Sequence, residues 1–457
     1  MKTRYDYSKT MLMKMFLARP DFANGSSEVL INFDDALKII RAVDNITQGV
    51  KKIVYLVGWQ GLGHDDLYPD MTVINEYLKG EGDKDAKTSL LRLIEEAKKF
   101  NTVVSFHGNL ADAYEQSPSF PALKEANAVA NGRDGKPAVI EVFNGRNAYK
   151  ISYKQYYESG IFKKNWDDFC ATVPVIEAGT VHLDNFCIAE SLCPETGMSQ
   201  QNEARNAMID YITSLGIDVT SEYTYRELDR RADSKDHPIH EFYGDDVSLY
   251  EEDGWKNAPI RTIGRIPAVW WQSNMTPEDY ITYPADVFSG FPTDEELRNV
   301  FYGAMHGEDI WMNNGKDAKD WADEFTEQFC LMQVPYLYLN RYRRIGIEQN
   351  EDGSYTGVFS DGVKSFGASK TITKNGVAVK DGDNVLLPLD EDGTKYIVYS
   401  CGGKTGEWNI PDAPDGEVSV FRITPEGNVS AGKTTVNGGK VTLSVPGGEA
   451  YALVYER

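Results

Sequence analysis

The sequence predicts an α/β protein, a (β/α)8 TIM-like barrel followed by a C-terminal antiparallel β-sandwich. Three observations carry that expectation. Short apolar runs alternate with amphipathic helical stretches through roughly the first 345 residues, the pattern of a parallel sheet with crossover helices. From about residue 346 the texture changes to short runs rich in Val, Ile and Tyr between NG, DG and GG turns, with no long helical period. All six His and all but one of the eight Trp precede residue 346, which assigns the chemistry to the first part. The expected division is therefore 1–345, a catalytic barrel with an N-terminal extension before about residue 28, and 346–457, a sandwich.

The elements follow in order. IVYLVGW (53–59) is near-continuously apolar, as a strand buried on both faces should be. SLLRLIEEAKKF (89–100) has helical spacing, and TVVSFHGN (102–109) reads as the next strand. PAVIEVFNGRNAYKISY (137–153) turns at Asn144-Gly145, a hairpin signal. It is read as a hairpin inserted in a barrel loop, with a barrel strand as the alternative. TVHLDNF (180–186) is a strand. QNEARNAMIDYITSL (201–215) is a helix stopped by Gly216, and IDVTSEYT (217–224) is the strand after it. AVWWQS (268–273), DIWMNN (309–314) and YLYLNRY (336–342) are later strand candidates. An open doubly wound sheet is the competing topology, but no GxGxxG follows a strand and no GxxxxGK[ST] occurs.

Composition narrows the function. In 457 residues, 47 Lys+Arg stand against 70 Asp+Glu, a net charge of −23. So acidic a chain is expected to bind neither nucleic acid nor an anionic membrane. A hydrophobic content of 41% excludes disorder. Five Cys without a CxxC pair predict neither a disulfide framework nor a zinc site. MKTRYDYSKTMLMKMF has no unbroken apolar stretch or small-residue cleavage site, and no later run nears 18 apolar residues. A cytoplasmic location is the expectation. The 26 Tyr suit sugar recognition as well as they suit a large core.

Barrel chemistry projects from the C-terminal ends of strands. Trp59, His64, Asp65 and Asp66 follow the first apolar run, and His107 and Asn109 end the next. Asp184 and Glu222 end two consecutive strands, Trp271 follows AVWWQ, and His306 and Glu308 lie in MHGEDIW. Asp184 and Glu222 lie 38 residues apart, about one strand–helix–strand repeat, so their carboxyls can flank one bond. Retaining glycosidases need the two about 5–5.5 Å apart, inverting ones about 6.5–9.5 Å. The bland alternative is that such carboxylates cap helices or pair with Arg. Trp59, Trp271 and Trp166, the last in the variable loop region before Asp184, are candidates for an aromatic wall, against the alternative that buried Trp are core. HDD (64–66) and HGED (306–309) carry cation-ligand residue types, but with no HExxH, HxH or calcium-type loop no metal and no cofactor is expected.

Four runs in order, VYLVGWQGLGHDDLYPD (54–70), VSFHGNLADAYEQSP (104–118), TVHLDNF (180–186) and GIDVTSEYT (216–224), resemble the endo-α-N-acetylgalactosaminidase family of glycoside hydrolases. The resemblance covers roughly residues 50–225. It implies that Asp65, His107 and Asn109 contact sugar, with Asp184 the nucleophile and Glu222 the acid/base. His64, Trp59, Trp166, Trp271 and Glu308 complete the expected substrate-binding set. The implied activity is retaining hydrolysis of α-linked N-acetylgalactosamine, or galactosyl-β-1,3-N-acetylgalactosamine, from O-glycans. Other readings stay open: an amylase-like or α-galactosidase-like hydrolase, or a non-catalytic carbohydrate-binding barrel. The residue types suit their roles. Asp has the lower intrinsic pKa, about 3.9 against about 4.3 for Glu, and Tyr223 and Tyr225 could desolvate Glu222.

Overall fold

A computed structural model describes residues 4–221 and 321–456, except Ser8, Arg133, Asn185, 187–190, Cys193, Pro194 and Arg343, together with Val300, Tyr302 and Ile310. Glu222, Trp271, His306, Glu308 and the AVWWQS run lie outside the described residues, as does DIWMNN apart from Ile310.

Five strands form one parallel sheet: β1 (Met11–Phe16), β2 (Lys52–Val57), β3 (Thr102–Asn109), β4 (Thr180–Asp184) and β5 (Asp218–Ser221). Sheet order equals chain order and every pairing is parallel. Between successive strands run the helices α1 (Phe33–Ile46), α2 (Ala86–Ala97), α3 (Ile161–Thr172) and α4 (Met198–Ser214). β1 corrects the expectation of an N-terminal extension. MLMKMF is buried at all six positions, including Lys14, and that central lysine is what hid the strand in the sequence.

The helices form where the spacing allows. In α1, Phe33, Ala36, Ile39, Ile40, Val43 and Ile46 recur three or four apart and all are buried, while Asn32 caps the N-terminus by accepting from the Asp35 amide at 2.9 Å. Each large side chain so buried contributes about 1.5–3 kcal/mol. Asp85 caps α2 in the same way, at 2.8 Å from the Thr88 amide.

Alternation along the strands gives the sheet two different faces. Val54, Leu56, Val104, Phe106, Val181, Leu183 and Val219 join the large core with the helices. The opposite face carries Tyr55, Ser105, His107, Thr180, His182, Asp184, Asp218 and Thr220. Its floor is a polar network. The Tyr55 hydroxyl lies 2.7 Å from Thr180 Oγ1, and the Tyr7 hydroxyl 3.0 Å from Asp218 Oδ2.

The Asn144-Gly145 signal corresponds to a two-residue turn, both residues at positive φ, joining Val139–Phe143 to Arg146–Lys150. This hairpin pairs with Asp112–Ala113, directly after β3. YLYLNRY corrects another expectation: Val334–Leu339 is helical and continues the helix Trp321–Gln328 through a π turn, Phe329–Gln333. Every residue from Val334 to Leu339 is buried, so apolar periodicity could not separate helix from strand there.

From Arg344 to Val454 ten strands form one antiparallel sheet, and Lys404–Asn409 pairs with Lys440–Val445 beside it. This region packs on α1: Asn45 Nδ2 donates to the Pro425 carbonyl at 2.7 Å and Gln48 Nε2 to Asn428 Oδ1 at 2.9 Å. Ile397, Tyr399 and Ala452 belong to the same core cluster as Phe33 and Ile40. Among the described residues no helix is long and apolar enough to cross a membrane.

Lys380 is buried in this sheet, its Nζ donating to the carbonyls of Lys370 at 2.8 Å and Gly382 at 2.5 Å. Burial lowers its pKa from 10.5 to about 8. Between those values the unfolded chain holds the extra proton, so this group makes stability rise with pH across that window. Lys380→Met is expected to remove that rise. Urea unfolding of both proteins from pH 8 to 10 checks it, and parallel stability–pH curves would contradict it.

Candidate active site

The parallel register sets the site. His107 of β3 pairs with His182 of β4, and two residues on Asn109 pairs with Asp184. His107 Nε2 lies 3.8 Å from Asp184 Oδ2. On β5, Thr220 pairs with His182 and Ser221 with Leu183. His182 Nδ1 lies 2.8 Å from Thr220 Oγ1, and the Thr220 hydroxyl also lies 3.3 Å from the Val181 carbonyl, which it can only donate to. A hydroxyl that gives its hydrogen there accepts from His182 Nδ1–H.

The loop after β2 brings the other residues in. Gly58 leaves the strand at φ +74, where a Cβ would stand 2.3 Å from the Ala18 carbonyl oxygen. The His64 amide donates to that same oxygen at 3.0 Å. His64 Nε2 lies 3.2 Å from Asp65 Oδ2. The rings of Phe16, His64, His107, His182 and Tyr55 form a continuous row with neighbouring centroids 5.3–5.6 Å apart. Single ligand atoms of His64, Asp65 and Asp184 lie within 4.8 Å of one another, so these three could also hold a divalent cation.

Asp65 and Asp112 are buried, while Asp184 is partly open, its side chain 18% exposed. Burial pushes the Tyr68 and Tyr114 hydroxyls far above the ordinary phenol value, and Asp65, Asp112 and Asp184 push them further. Both tyrosines stay neutral beside these three carboxyl groups.

Asn109, expected to line the sugar pocket, is fully buried. Its Oδ1 accepts from the amides of Ala111 at 2.8 Å and Asp112 at 3.0 Å, and its Nδ2 donates to Asp112 Oδ2 at 2.7 Å. It ties the turn after β3.

Two aromatic candidates need correction. Trp59 is fully buried, packs on Phe106 and Phe169, and donates Nε1–H to the His107 carbonyl at 2.9 Å. Trp166 lies not in a loop but on α3, fully buried against Phe162 and Phe169. Neither offers a ring face to a sugar; both support the strands from the helix side. Trp59→Phe is expected to cost about 1–3 kcal/mol of stability through the lost hydrogen bond and volume, with substrate KM unchanged. A raised KM at an unchanged urea midpoint would count against this.

His182 and Asp112 were missed by reading strand ends. His182 sits inside an apolar strand, where a histidine reads as core, and only the cross-strand register reveals it. Asp66 is buried, and its carboxylate is raised by that burial against the pull of the Leu62 amide and Arg146. Arg146 comes from the hairpin, 80 residues away, and no local pattern announces it.

The profile of the family described as endo-alpha-N-acetylgalactosaminidase matches residues 12–253, more than half of the chain. A search of curated proteins by sequence found no significant match. Among solved structures, the ligand-free α-N-acetylgalactosaminidase NagBb from Bifidobacterium bifidum aligns with a TM-score of 0.51 at 13% identity, covering 80% of this chain and 57% of that one. Its Gal-NHAc-DNJ complex aligns at 0.50 and 12%, covering 80% and 56%. At such identity the likeness is one of fold, and the chain spans just over half the length of these solved relatives. The matched residues include β1 to β5 and every described residue of the site, and on that match the chain belongs to the endo-α-N-acetylgalactosaminidase family of glycoside hydrolases.

Proposed function

We propose that the protein is a retaining glycoside hydrolase that releases α-linked N-acetylgalactosamine, or galactosyl-β-1,3-N-acetylgalactosamine, from Ser or Thr of O-glycans. The observation that carries this reading is the position of Asp184. It ends β4 on the polar face of the sheet, partly open, with His107 Nε2 3.8 Å away and Asp65 beside it. The family supplies the sugar class.

In this reading the five parallel strands are part of a closed (β/α)8 barrel, and the C-terminal sheet packs as a sandwich. Glu222 is the acid/base. It directly follows Ser221, the last described residue of β5, and β5 is the parallel neighbour of the strand that Asp184 ends. Asp184 attacks the anomeric carbon from the β face while Glu222 protonates the departing Ser or Thr oxygen. Water, deprotonated by Glu222, then opens the glycosyl ester and delivers the α product. Asp65, His64 and His107 hold sugar hydroxyls, and Trp271 and Glu308 complete the substrate-binding set.

A panel of nitrophenyl α-glycosides tests the reading. Hydrolysis of the α-N-acetylgalactosaminide or the α-linked disaccharide is expected. Turnover of only the α-glucoside or α-galactoside would point to the amylase-like or galactosidase-like alternative. A folded protein that binds these sugars and cleaves none would point to a binding barrel.

A further inference from the structure

The loop carrying His64 and Asp65 holds an unusual conformation. Asp65 and Leu67 have φ of +60° and +67°, a region that side chains rarely adopt, and Gly58, Gly61 and Gly63 are also at positive φ. Residues persist there only when their surroundings over-determine them. Here the surroundings converge on Asp66, which lies between the two strained residues. Its Oδ2 accepts from the Leu62 amide at 2.9 Å and its carbonyl accepts from Gln60 Nε2. A Cβ on Gly61 would stand 2.6 Å from Asp66 Oδ2, so only glycine lets the carboxylate seat there.

The other carboxylate oxygen, Oδ1, meets Arg146 Nη1 at 3.0 Å. Arg146 opens the second strand of the hairpin, just past the Asn144-Gly145 turn. Its guanidinium lies over the Phe22 ring, 3.3 Å from the centroid. The hairpin is itself rooted beside Asp112, through the Asp112–Lys150 and Ala113–Tyr149 pairs. A flat cation held by a ring on one side can meet a buried carboxylate in a fixed direction, which a lysine cannot reproduce.

We infer that Arg146 is a positioning residue: through Asp66 it holds the 60–67 loop so that His64 and Asp65 face Asp184. The inserted hairpin is then a working part of the site rather than a surface decoration. The inference rests on the proposed reading of His64 and Asp65 as sugar-binding groups.

The test compares wild type with Arg146→Ala and Arg146→Lys, by amide exchange over residues 60–67 and by kinetics on the nitrophenyl α-N-acetylgalactosaminide. In Arg146→Ala, exchange in that loop is expected to quicken while the strands keep wild-type protection. Turnover should fall about 10–100-fold, in kcat more than in KM, as misplacement near 1 Å does. Millimolar guanidinium should restore part of it, but not in the Asp66→Ala, Arg146→Ala double variant, where no carboxylate remains to receive it. Arg146→Lys should recover less than guanidinium does. Unchanged exchange in the loop would overturn the positioning role. Faster exchange with unchanged turnover would overturn its link to the reaction. A wild type inactive on every glycoside would remove the functional reading alone, because the exchange result stands without it.

Discussion

Asp184→Asn is expected to lose turnover by a factor on the order of 10,000 or more, on every leaving group alike. A carboxamide cannot form the glycosyl ester, and losing a covalent nucleophile removes the whole reaction path rather than one stabilising contact. The fold should survive. Asp184 is isosteric with Asn, it is partly open, and its neighbour His107 keeps a partner at the same place. Thermal unfolding of the variant should therefore match wild type within a few degrees, and substrate should still bind. Steady-state rates on a nitrophenyl and on a natural O-glycopeptide check the claim. Loss on the glycopeptide alone would move Asp184 to the acid role.

Glu222→Gln is expected to behave differently, and the difference separates the two carboxyls. With a leaving group that needs a proton, the rate should drop about 1,000-fold, within the range general acid catalysis supplies. With a dinitrophenyl glycoside, glycosylation should stay fast and the ester should accumulate, because no base activates water. Azide attacks without a base, so it should restore turnover and give the α-glycosyl azide. In the proposed mechanism the ester takes up the Asp184 carboxylate, and Glu222, having given its proton to the leaving group, is the base of the second step. A β-glycosyl azide from this variant would reverse the assignment of the two residues.

Much of the arrangement was legible in the chain, and the failures have physical causes. The strand–helix repeat showed because β2, β3 and β4 are almost wholly buried and each carries apolar residues on the side that meets the helices. β1 did not, since Lys14 interrupts its run and it lies where an extension was expected. Val334–Leu339 failed for the opposite reason: a segment buried all round carries no period to read. Strand-end logic singled out Asp184, His107, Asn109 and Asp65, which the fold brings together at one end of the sheet. It misplaced Trp59, whose indole turns back under the sheet to the His107 carbonyl. It gave Asn109 to the sugar when most of its amide ties a turn. His182, Asp112 and Arg146 depend on which strands and loops become neighbours, and that is set by the fold, not by the residues around each.

In the proposed mechanism Asp184 forms a covalent β-linked intermediate which water opens with retention. Proton NMR of the first product, taken before mutarotation, is the decisive measurement. The anomeric signal of the α sugar should appear first and the β signal grow in afterwards. A β signal at the earliest time would mean a single inverting displacement by water, and Asp184 would then be a base and not a nucleophile.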